Sequence, residues 1–349
     1  MAAKEPKSGT SSVTSTSSPS GASSGTSNEA KPTRPSEFPN ATTWAAWLYF
    51  VDEMTQSEVA NTIGVSRVTV IKMLNDAKEN GIVSIRFSPK IASRISTSRR
   101  LADAFGLNTV VIIPDNDGSS LIDRLGKAGA FAILENLNAN DVIGVAWGRT
   151  VLAVAQNIKL DTTIPNLTVA QVSASPNGLS ADFSPELCSS LLANNLGARS
   201  VNLMAPAIVS SPELRDMLLK EPSIRNQFDV IRSANKVVFG VGSLDKTATV
   251  RSSELHSEAT VDKLIKKGAV GGILGKFIDK AGNEISGPAH ERSIGISLDE
   301  LKAIPNRLCV AGGDSKVDAI QATLTAGFAT DLITDFKTAT SLLERLEGD

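Results

Sequence analysis

The stretch TQSEVANTIGVSRVTV, residues 55–70, predicts two short helices joined by a tight turn. Thr55 and Glu58 have the spacing of a capping box, in which the threonine hydroxyl accepts from the Glu58 backbone and the carboxylate reaches back to the Thr55 N–H. Gly64 suits the left-handed position that ends the first helix, and Ser66 can cap the second. Two helices connected in this way form a helix-turn-helix.

The second of these helices should have one buried face and one exposed face. Val70, Met73, Leu74 and Ala77 share the face that would pack inward, and Val68, Lys72 and Asn75 point roughly opposite. A face of this kind can enter the major groove, where Lys72 suits guanine, Asn75 suits adenine and an apolar side chain suits the thymine methyl. We therefore predict double-stranded DNA as a partner, contacted by Gln56, Ser66, Arg67, Val68, Thr69, Lys72 and Asn75.

The residues before this motif fall into two parts. Residues 1–40 are dominated by Ser, Thr, Gly, Pro and Ala, so they cannot bury enough apolar surface to offset the entropy lost on ordering. We predict a disordered arm there. The run ATTWAAWLYFV, residues 41–51, predicts a first helix with Trp44, Trp47, Leu48 and Val51 on one face. A helix-turn-helix domain of winged-helix-like type is thus expected over residues 41–90.

The remainder, residues 91–349, alternates β-branched apolar runs with helical patterns. Such alternation predicts an α/β domain with a Rossmann-like, doubly wound parallel sheet. The predicted strands are Thr109–Ile113, Val142–Ala146, Leu167–Val172, Val201–Met204, Lys236–Val241 and Arg307–Val310. The predicted helices are Leu121–Leu137, Pro185–Leu196, Ile224–Ala234, Glu258–Lys267 and Lys316–Ala326.

Three of the predicted strands end in glycine-containing turns: GVAWGRT at 144–150, GVGS at 240–243 and AGGDSK at 311–316. Ligands of doubly wound sheets sit outside the carboxyl ends of the strands, so these turns are candidate binding loops. A helix that begins after Gly148 could hold a phosphate or carboxylate with its N–H groups, aided by Arg149 and Thr150. Lys316 would add a second positive charge.

Several classes of site are disfavoured by composition. The chain has two cysteines, Cys188 and Cys309, and two histidines, His256 and His290, without clustering. We expect no metal site, no cofactor and no Cys/His nucleophile. Two unpaired cysteines fit a reducing cytoplasm, and no segment has the apolar run of a membrane helix. The formal net charge is -2, so DNA binding would depend on one local basic face.

The helix-turn-helix segment resembles the N-terminal domain of the SorC family of sugar-responsive regulators. The matching stretches are WLYFV at 47–51, TQSEVA at 55–60, GVSRVTV at 64–70 and AKENGIV at 77–83. Ile71 departs from the pattern, which has a small polar residue there. The resemblance continues through GAVG at 268–271, IGISLDEL at 294–301 and LITD at 332–335.

This resemblance implies a fold similar to sugar-phosphate isomerases, a sugar-like and phosphorylated effector, and assembly into homodimers or homotetramers. It implies effector contacts from Gly148, Arg149, Thr150, Gln171, Gly242, Ser243, Asp314 and Lys316. The segment 173–178 lacks the basic residue that some relatives of this fold place after the corresponding strand. The expected function is a cytoplasmic, nucleoid-associated regulator of carbohydrate metabolism.

Two other functions compete with this one. A sugar-phosphate isomerase or deaminase would share the sheet architecture, and Asp245 or Asp314 could serve as its base. The sequence offers no paired acid and base, and such an enzyme would not need residues 55–80, so we expect no catalysis. A protein-interaction module with an inert sensor domain is the third possibility.

Overall fold

A computed structural model describes residues 33–85, 88–114, 118–160, 162–175, 183–246, 248, 250, 257–287 and 289–348. The chain divides into two compact units, Met1–Arg86 and Phe87–Asp349. Residues 1–32 of the predicted arm, and residues 176–178 of the segment noted for its missing basic residue, lie outside the described residues.

The first unit contains three helices: α1 (Ala41–Phe50), α2 (Gln56–Ile63) and α3 (Arg67–Glu79). The predicted capping box is present, since the Thr55 N–H donates to Glu58 Oε2 at 2.7 Å and the Glu58 N–H donates to Thr55 Oγ1 at 3.3 Å. Gly64 ends α2 in the left-handed conformation, with φ 76°. These features confirm the predicted helix-turn-helix. Residues 33–85 contain no strand, so a wing is not among them.

The core of the first unit differs from the prediction at α1. Trp44, Ala45 and Leu48 are buried, whereas Trp47 and Val51 are 48% and 55% exposed. The prediction was correct for Trp44 and Leu48 and wrong for Trp47 and Val51. The buried face of α1 also includes Ala45 and Ala46, so it is rotated away from the face that carries Trp47 and Val51.

Residues just before α1 belong to the first unit. The Phe38 ring stacks on Trp44 at a centroid distance of 6.5 Å and lies 6.0 Å from Trp47. Asn40 caps α1, because its Oδ1 accepts from the Thr43 N–H at 2.7 Å. The last residues of the predicted 1–40 arm therefore pack on the helical unit.

The second unit is built on seven parallel strands with helices between them. The strands are β1 (Thr109–Ile113), β2 (Val142–Val145), β3 (Thr168–Gln171), β4 (Arg199–Val201), β5 (Lys236–Phe239), β8 (Asn306–Val310) and β9 (Asp331–Asp335), with the antiparallel hairpin β6 (Gly271–Ile273) and β7 (Lys276–Ile278) apart from the sheet. The helices are α4 (Pro89–Phe105), α5 (Leu121–Glu135), α6 (Arg149–Asn157), α7 (Pro185–Leu196), α8 (Pro212–Lys220), α9 (Pro222–Arg232), α10 (Glu258–Lys266), α11 (Leu298–Ala303), α12 (Val317–Thr325) and α13 (Phe336–Gly348).

The strand order is β1-β9-β8-β5-β2-β3-β4, and every pairing within the sheet is parallel. The chain runs outward from β2 through β3 to β4, then returns to β5 and runs the other way through β8 to β9. The reversal between β2 and β5 is the switch point at which ligands of such sheets bind. This order also confirms the doubly wound prediction.

One predicted strand is displaced in the structure. The edge strand is Arg199–Val201, not Val201–Met204, which was wrong. After Val201 the Leu203 N–H donates to the Gln171 side chain at 3.3 Å and the Met204 N–H donates to the Gln227 side chain at 3.0 Å. The backbone after Val201 therefore donates to side chains and no longer to the backbone of β3, so the ladder of strand hydrogen bonds ends.

A buried ion pair joins the amino ends of β2 and β5. Asp141 Oδ2 lies 2.8 Å from Lys236 Nζ, and Asp141 Oδ1 accepts from Asn235 at 2.7 Å. Burial alone would raise the pKa of Asp141, but hydrogen bonds from Lys236, Asn235 and the Asn138 N–H outweigh burial and lower it. The carboxylate thus stays charged and fixes the end of the sheet opposite the switch point.

Candidate functional site

The exposed face of α3 carries the side chains that the sequence assigns to DNA. Val68 is 76% exposed, and Arg67, Lys72 and Asn75 are also exposed. Val70, Leu74 and Ala77 are buried on the opposite face, as predicted. The exposed face therefore combines two cations, one amide and one apolar side chain, the groups that read base edges in a major groove.

The first turn of α3 is held by two local contacts. Ser66 Oγ accepts from the Thr69 N–H at 3.1 Å and lies 2.8 Å from Thr69 Oγ1. Arg67 Nε donates to Gln56 Oε1 at 3.2 Å, so a side chain of α2 orients the guanidinium at the start of α3. A helix N-terminus with an oriented guanidinium suits a phosphate of the DNA backbone. Gln56, which the sequence predicts to contact DNA, therefore also bonds to Arg67.

A cleft of about 420 Å³ opens at the carboxyl ends of β2, β5 and β8, which are neighbours in the sheet. This size falls within the range of small-molecule sites. Six of the predicted effector residues line it: Gly148, Arg149, Thr150, Gly242, Ser243 and Lys316. Three turns that are far apart in the chain therefore meet around one space.

The α6 N-terminus is one wall of this cleft. Gly148 caps the helix without a side-chain hydrogen bond, at φ 112° and ψ 168°. That conformation is open almost only to glycine. The helix dipole and the first N–H groups of α6 favour an anion at this position, and the buried Thr150 adds a hydroxyl.

Lys316 supplies positive charge from the opposite wall. Burial lowers the pKa of Lys316, and the nearby charge of Arg149 lowers it further, against opposing effects from Cys309 and Asp245. Ser243 Oγ donates to Asp245 Oδ2 at 2.9 Å beside them. Two cations that repel each other in a partly enclosed space favour a bound anion, since an anion between them relieves the repulsion.

Two predicted effector residues do not line the cleft. Gln171 is fully buried, donating to the Ser173 carbonyl at 2.8 Å and accepting from the Leu203 N–H, so it bridges β3 to the chain after β4. Asp314 is exposed and accepts from Lys337 Nζ on α13. Asp314 and Lys316 belong to one 3₁₀ turn, and of these two residues only Lys316 lines the cleft.

The sequence did not predict the contribution of the β6–β7 hairpin. Gly272 and residues 274–277 line the cleft. Gly242 and Gly272 exchange backbone hydrogen bonds of 2.9 and 3.0 Å, which hold the hairpin over the turn after β5. The glycine in GGILGK at 271–276 was a signal for a hairpin, because two-residue hairpin turns favour glycine at positions of positive φ. Leu274 and Gly275 form this turn, with φ values of 53° and 78°.

An aromatic wall completes the cleft. Trp147 follows β2, lines the cleft, and stacks on Phe183 with a centroid distance of 6.3 Å and an interplanar angle of 8°. Such a surface gives the apolar face of a small ligand something to pack against. The cleft therefore has a cationic end and an aromatic flank.

Within the described part of the chain, no helix is both long and apolar enough to cross a membrane.

Comparison with known proteins gives consistent matches. Residues 90–344 match the family described as "Putative sugar-binding domain". An uncharacterized transcriptional regulator of Escherichia coli K12, YjhU, is 36% identical over 307 residues, covering 86% of this chain and 93% of YjhU. The deoxyribonucleoside regulator of Bacillus subtilis is 29% identical over 305 residues, covering 86% of this chain and 96% of that protein.

The fold matches a solved full-length protein as well. The sorbitol operon regulator SorC of Klebsiella pneumoniae superimposes with a TM-score of 0.68 at 24% identity, over 86% of this chain and 97% of SorC. The helix-turn-helix, the doubly wound sheet and these matches agree with the resemblance seen in the sequence, and the chain belongs to the SorC family of sugar-binding transcriptional regulators.

Proposed function

We propose that this chain binds operator DNA through α3 and releases or recruits it in response to an anionic, sugar-like effector. The helix-turn-helix domain is assigned to residues 41–90 and the effector domain to residues 91–349. Arg67 and Lys72 contact phosphate or guanine, Asn75 pairs with adenine, and Val68 contacts a thymine methyl. Gln56 holds Arg67 in place, and Ser66 and Thr69 present the α3 N-terminus.

The observation that carries the effector half of this proposal is the pair of cations in the cleft. Arg149 and Lys316 lie close enough for their charges to interact, at a helix N-terminus and beside the sheet switch point. A phosphate satisfies the helix N–H groups and both cations at once. The names of two relatives, a deoxyribonucleoside regulator and a sorbitol operon regulator, support a sugar or polyol as the remainder of the ligand.

A role in catalysis is not supported by the arrangement of acidic residues. Asp314 pairs with Lys337 at the surface, and Asp245 accepts from Ser243 beside Lys316. Lys316 is assigned to the anion of the effector, so we propose no acid–base role for Asp245 and Lys316. We propose a cytoplasmic, nucleoid-associated regulator that acts as a homodimer or homotetramer, since a helix-turn-helix reads two half-sites about one DNA turn apart.

The experiment that tests this proposal starts from the full chain and random double-stranded oligonucleotides. Selection of bound DNA should yield a two-fold-related sequence, and footprinting should show protection of both half-sites. The same preparation, incubated with sugar monophosphates, should leave them unchanged by mass spectrometry. Recovery of no preferred sequence would contradict the DNA-binding half of the proposal, and conversion of a sugar phosphate would favour the enzyme.

A further inference from the structure

The cleft continues into a side pocket that neither the sequence nor the family match assigns to a function. This pocket of about 50 Å³ shares Trp147 and residues 274–277 with the main cleft. The shared hairpin residues mean that the two spaces adjoin along β6–β7. A ligand held at the α6 N-terminus can therefore extend one end into the side pocket.

Lys276 provides a donor where the two spaces meet. Its side chain is 14% exposed, and its Nζ lies 3.5 Å from Glu284 Oε1. That is a long separation for an ion pair, because charge-assisted hydrogen bonds between these groups measure about 2.7–2.9 Å. Among the described residues, Glu284 is the one ion-pair partner of Lys276, so this ammonium retains donors for a ligand.

Glu284 provides an acceptor that is already oriented. Its Oε1 lies 2.7 Å from His290 Nδ1, and both residues line the side pocket. The imidazole and the Lys276 ammonium both lie against the same carboxylate oxygen, Oε1, which fixes the orientation of Glu284. A carboxylate beside an ammonium can accept from a hydroxyl while the ammonium donates to the same or the neighbouring hydroxyl.

Ser173 adds an unsatisfied group to the same pocket. It is 5% exposed, and its Oγ is buried without a hydrogen-bond partner among the described residues. A buried hydroxyl without a partner costs free energy, so its retention at a pocket wall points to a polar group that binds there. Ser173 thus adds a polar residue to the wall of the pocket that Lys276 and Glu284 also line.

We infer that the side pocket reads hydroxyl groups at the end of the effector remote from its anionic group, with Lys276 and Glu284 as the residues that determine specificity. This inference rests on the proposed function, because it takes the α6 N-terminus and Lys316 as the anion site. Because Lys276 and Glu284 form a charge-compensated pair, hydroxyl groups can use both the donor and the acceptor, whereas a second phosphate would meet the Glu284 carboxylate beside the ammonium. The effector is therefore a polyol or sugar monophosphate, and bisphosphates are rejected.

The test is calorimetric titration of the full chain with inorganic phosphate, four- to six-carbon polyol and sugar monophosphates, and the matching bisphosphates. The parent protein should bind at least one monophosphate more tightly than phosphate and more tightly than its bisphosphate. Glu284→Gln and Lys276→Met should each weaken that monophosphate by about tenfold or more, the loss expected for a charge-assisted hydrogen bond, while phosphate binding is unchanged. Glu284→Gln keeps the shape of the side chain, so it remains informative if Lys276→Met does not fold.

Lys280→Met is the matched control, because Lys280 is exposed just beyond the same hairpin and should change nothing. The inference is overturned if no monophosphate exceeds phosphate, if bisphosphates bind better, or if both pocket variants bind the preferred compound like the parent. Failure of the proposed function would look different: phosphate and all phosphorylated compounds would bind the parent and Lys316→Met equally, or would not bind at all.

Discussion

Lys316 and Arg149 line one cleft from the starts of two helices, and the charge of Arg149 adds to burial in lowering the pKa of Lys316. The α6 start carries no side-chain cap, whereas the Val317 N–H at the start of α12 donates to the Asp314 carbonyl of the preceding 3₁₀ turn. The α6 dipole and the two cations therefore place positive potential at one end of the cleft, which favours an anionic ligand.

Lys316→Met should weaken the binding of inorganic phosphate by about tenfold to a hundredfold, because a charge-assisted hydrogen bond to the anion is lost. Titration calorimetry measures this directly. Lys337→Met is the control, since Lys337 is exposed and pairs with Asp314 outside the cleft. Equal phosphate affinity in Lys316→Met and the parent would place the anion elsewhere.

Arg67→Ala should reduce operator affinity and flatten its salt dependence by about one charge, as expected when one phosphate contact is removed. Gln56→Ala should reduce affinity through Arg67, so the double variant should be little worse than Arg67→Ala alone. Fluorescence anisotropy at several salt concentrations provides all four affinities, with Lys220→Ala on α8 as a control cation. Additive effects of the two substitutions would show that Gln56 contacts DNA independently.

Asp141→Asn should lower the free energy of unfolding by about 3–5 kcal/mol at neutral pH, because it leaves the Lys236 ammonium buried without its partner. The folded-state pKa of Asp141 is lowered, so its contribution is fully present above the unfolded pKa of about 3.9 and is lost as pH falls through the folded value. Urea unfolding measured from pH 7 to pH 3 should show the difference in free energy of unfolding between parent and variant becoming smaller as pH falls. Asp103→Asn, at an exposed site on α4, should show no gap at any pH.

Gly148→Ala should destabilise the protein by about 1–3 kcal/mol and weaken phosphate binding, because φ 112° is strained for alanine. A Cβ at this position would meet nothing within 4 Å, so the effect comes from the backbone and not from a clash. Gly240→Ala in the same cleft makes only ordinary contacts and should be tolerated. Thermal unfolding and phosphate titration of both variants test this prediction. Equal melting temperatures and equal phosphate affinities for Gly148→Ala and Gly240→Ala would show that the Gly148 conformation is not required at the start of α6.

The local parts of the fold were predictable from sequence, because their signals lie within a few residues of one another. The Thr55–Glu58 capping box and the Gly64 turn fix the helix-turn-helix without help from the rest of the chain. The buried face of α1 was not predictable in the same way, since it depends on how α2 and α3 pack against α1. Trp47 is left partly exposed as a result.

The cleft was predictable only in part, for geometric reasons. Glycine turns after β2, β5 and β8 indicated which loops meet, because parallel strands bring their carboxyl ends to one edge. Sequence could not show which way the Gln171 or Asp314 side chain points. In a strand, a register shift of one residue moves a side chain to the opposite face of the sheet. The direction of Asp314 depends on a short 3₁₀ turn. The β6–β7 hairpin escaped because its strands have three residues each and its place over the cleft depends on Gly242, about thirty residues earlier.

Coupling between the cleft and the DNA-binding helix is measured by the affinity of the full chain for the selected operator fragment as the preferred monophosphate is added. In the parent, the affinity should change by about fivefold or more, the lower range of coupling between an effector and a DNA site. Lys316→Met should bind the operator with the same starting affinity and fail to respond at concentrations that saturate the parent. If no monophosphate alters operator affinity, or if Lys316→Met responds like the parent, then an anion bound at Lys316 does not control DNA binding.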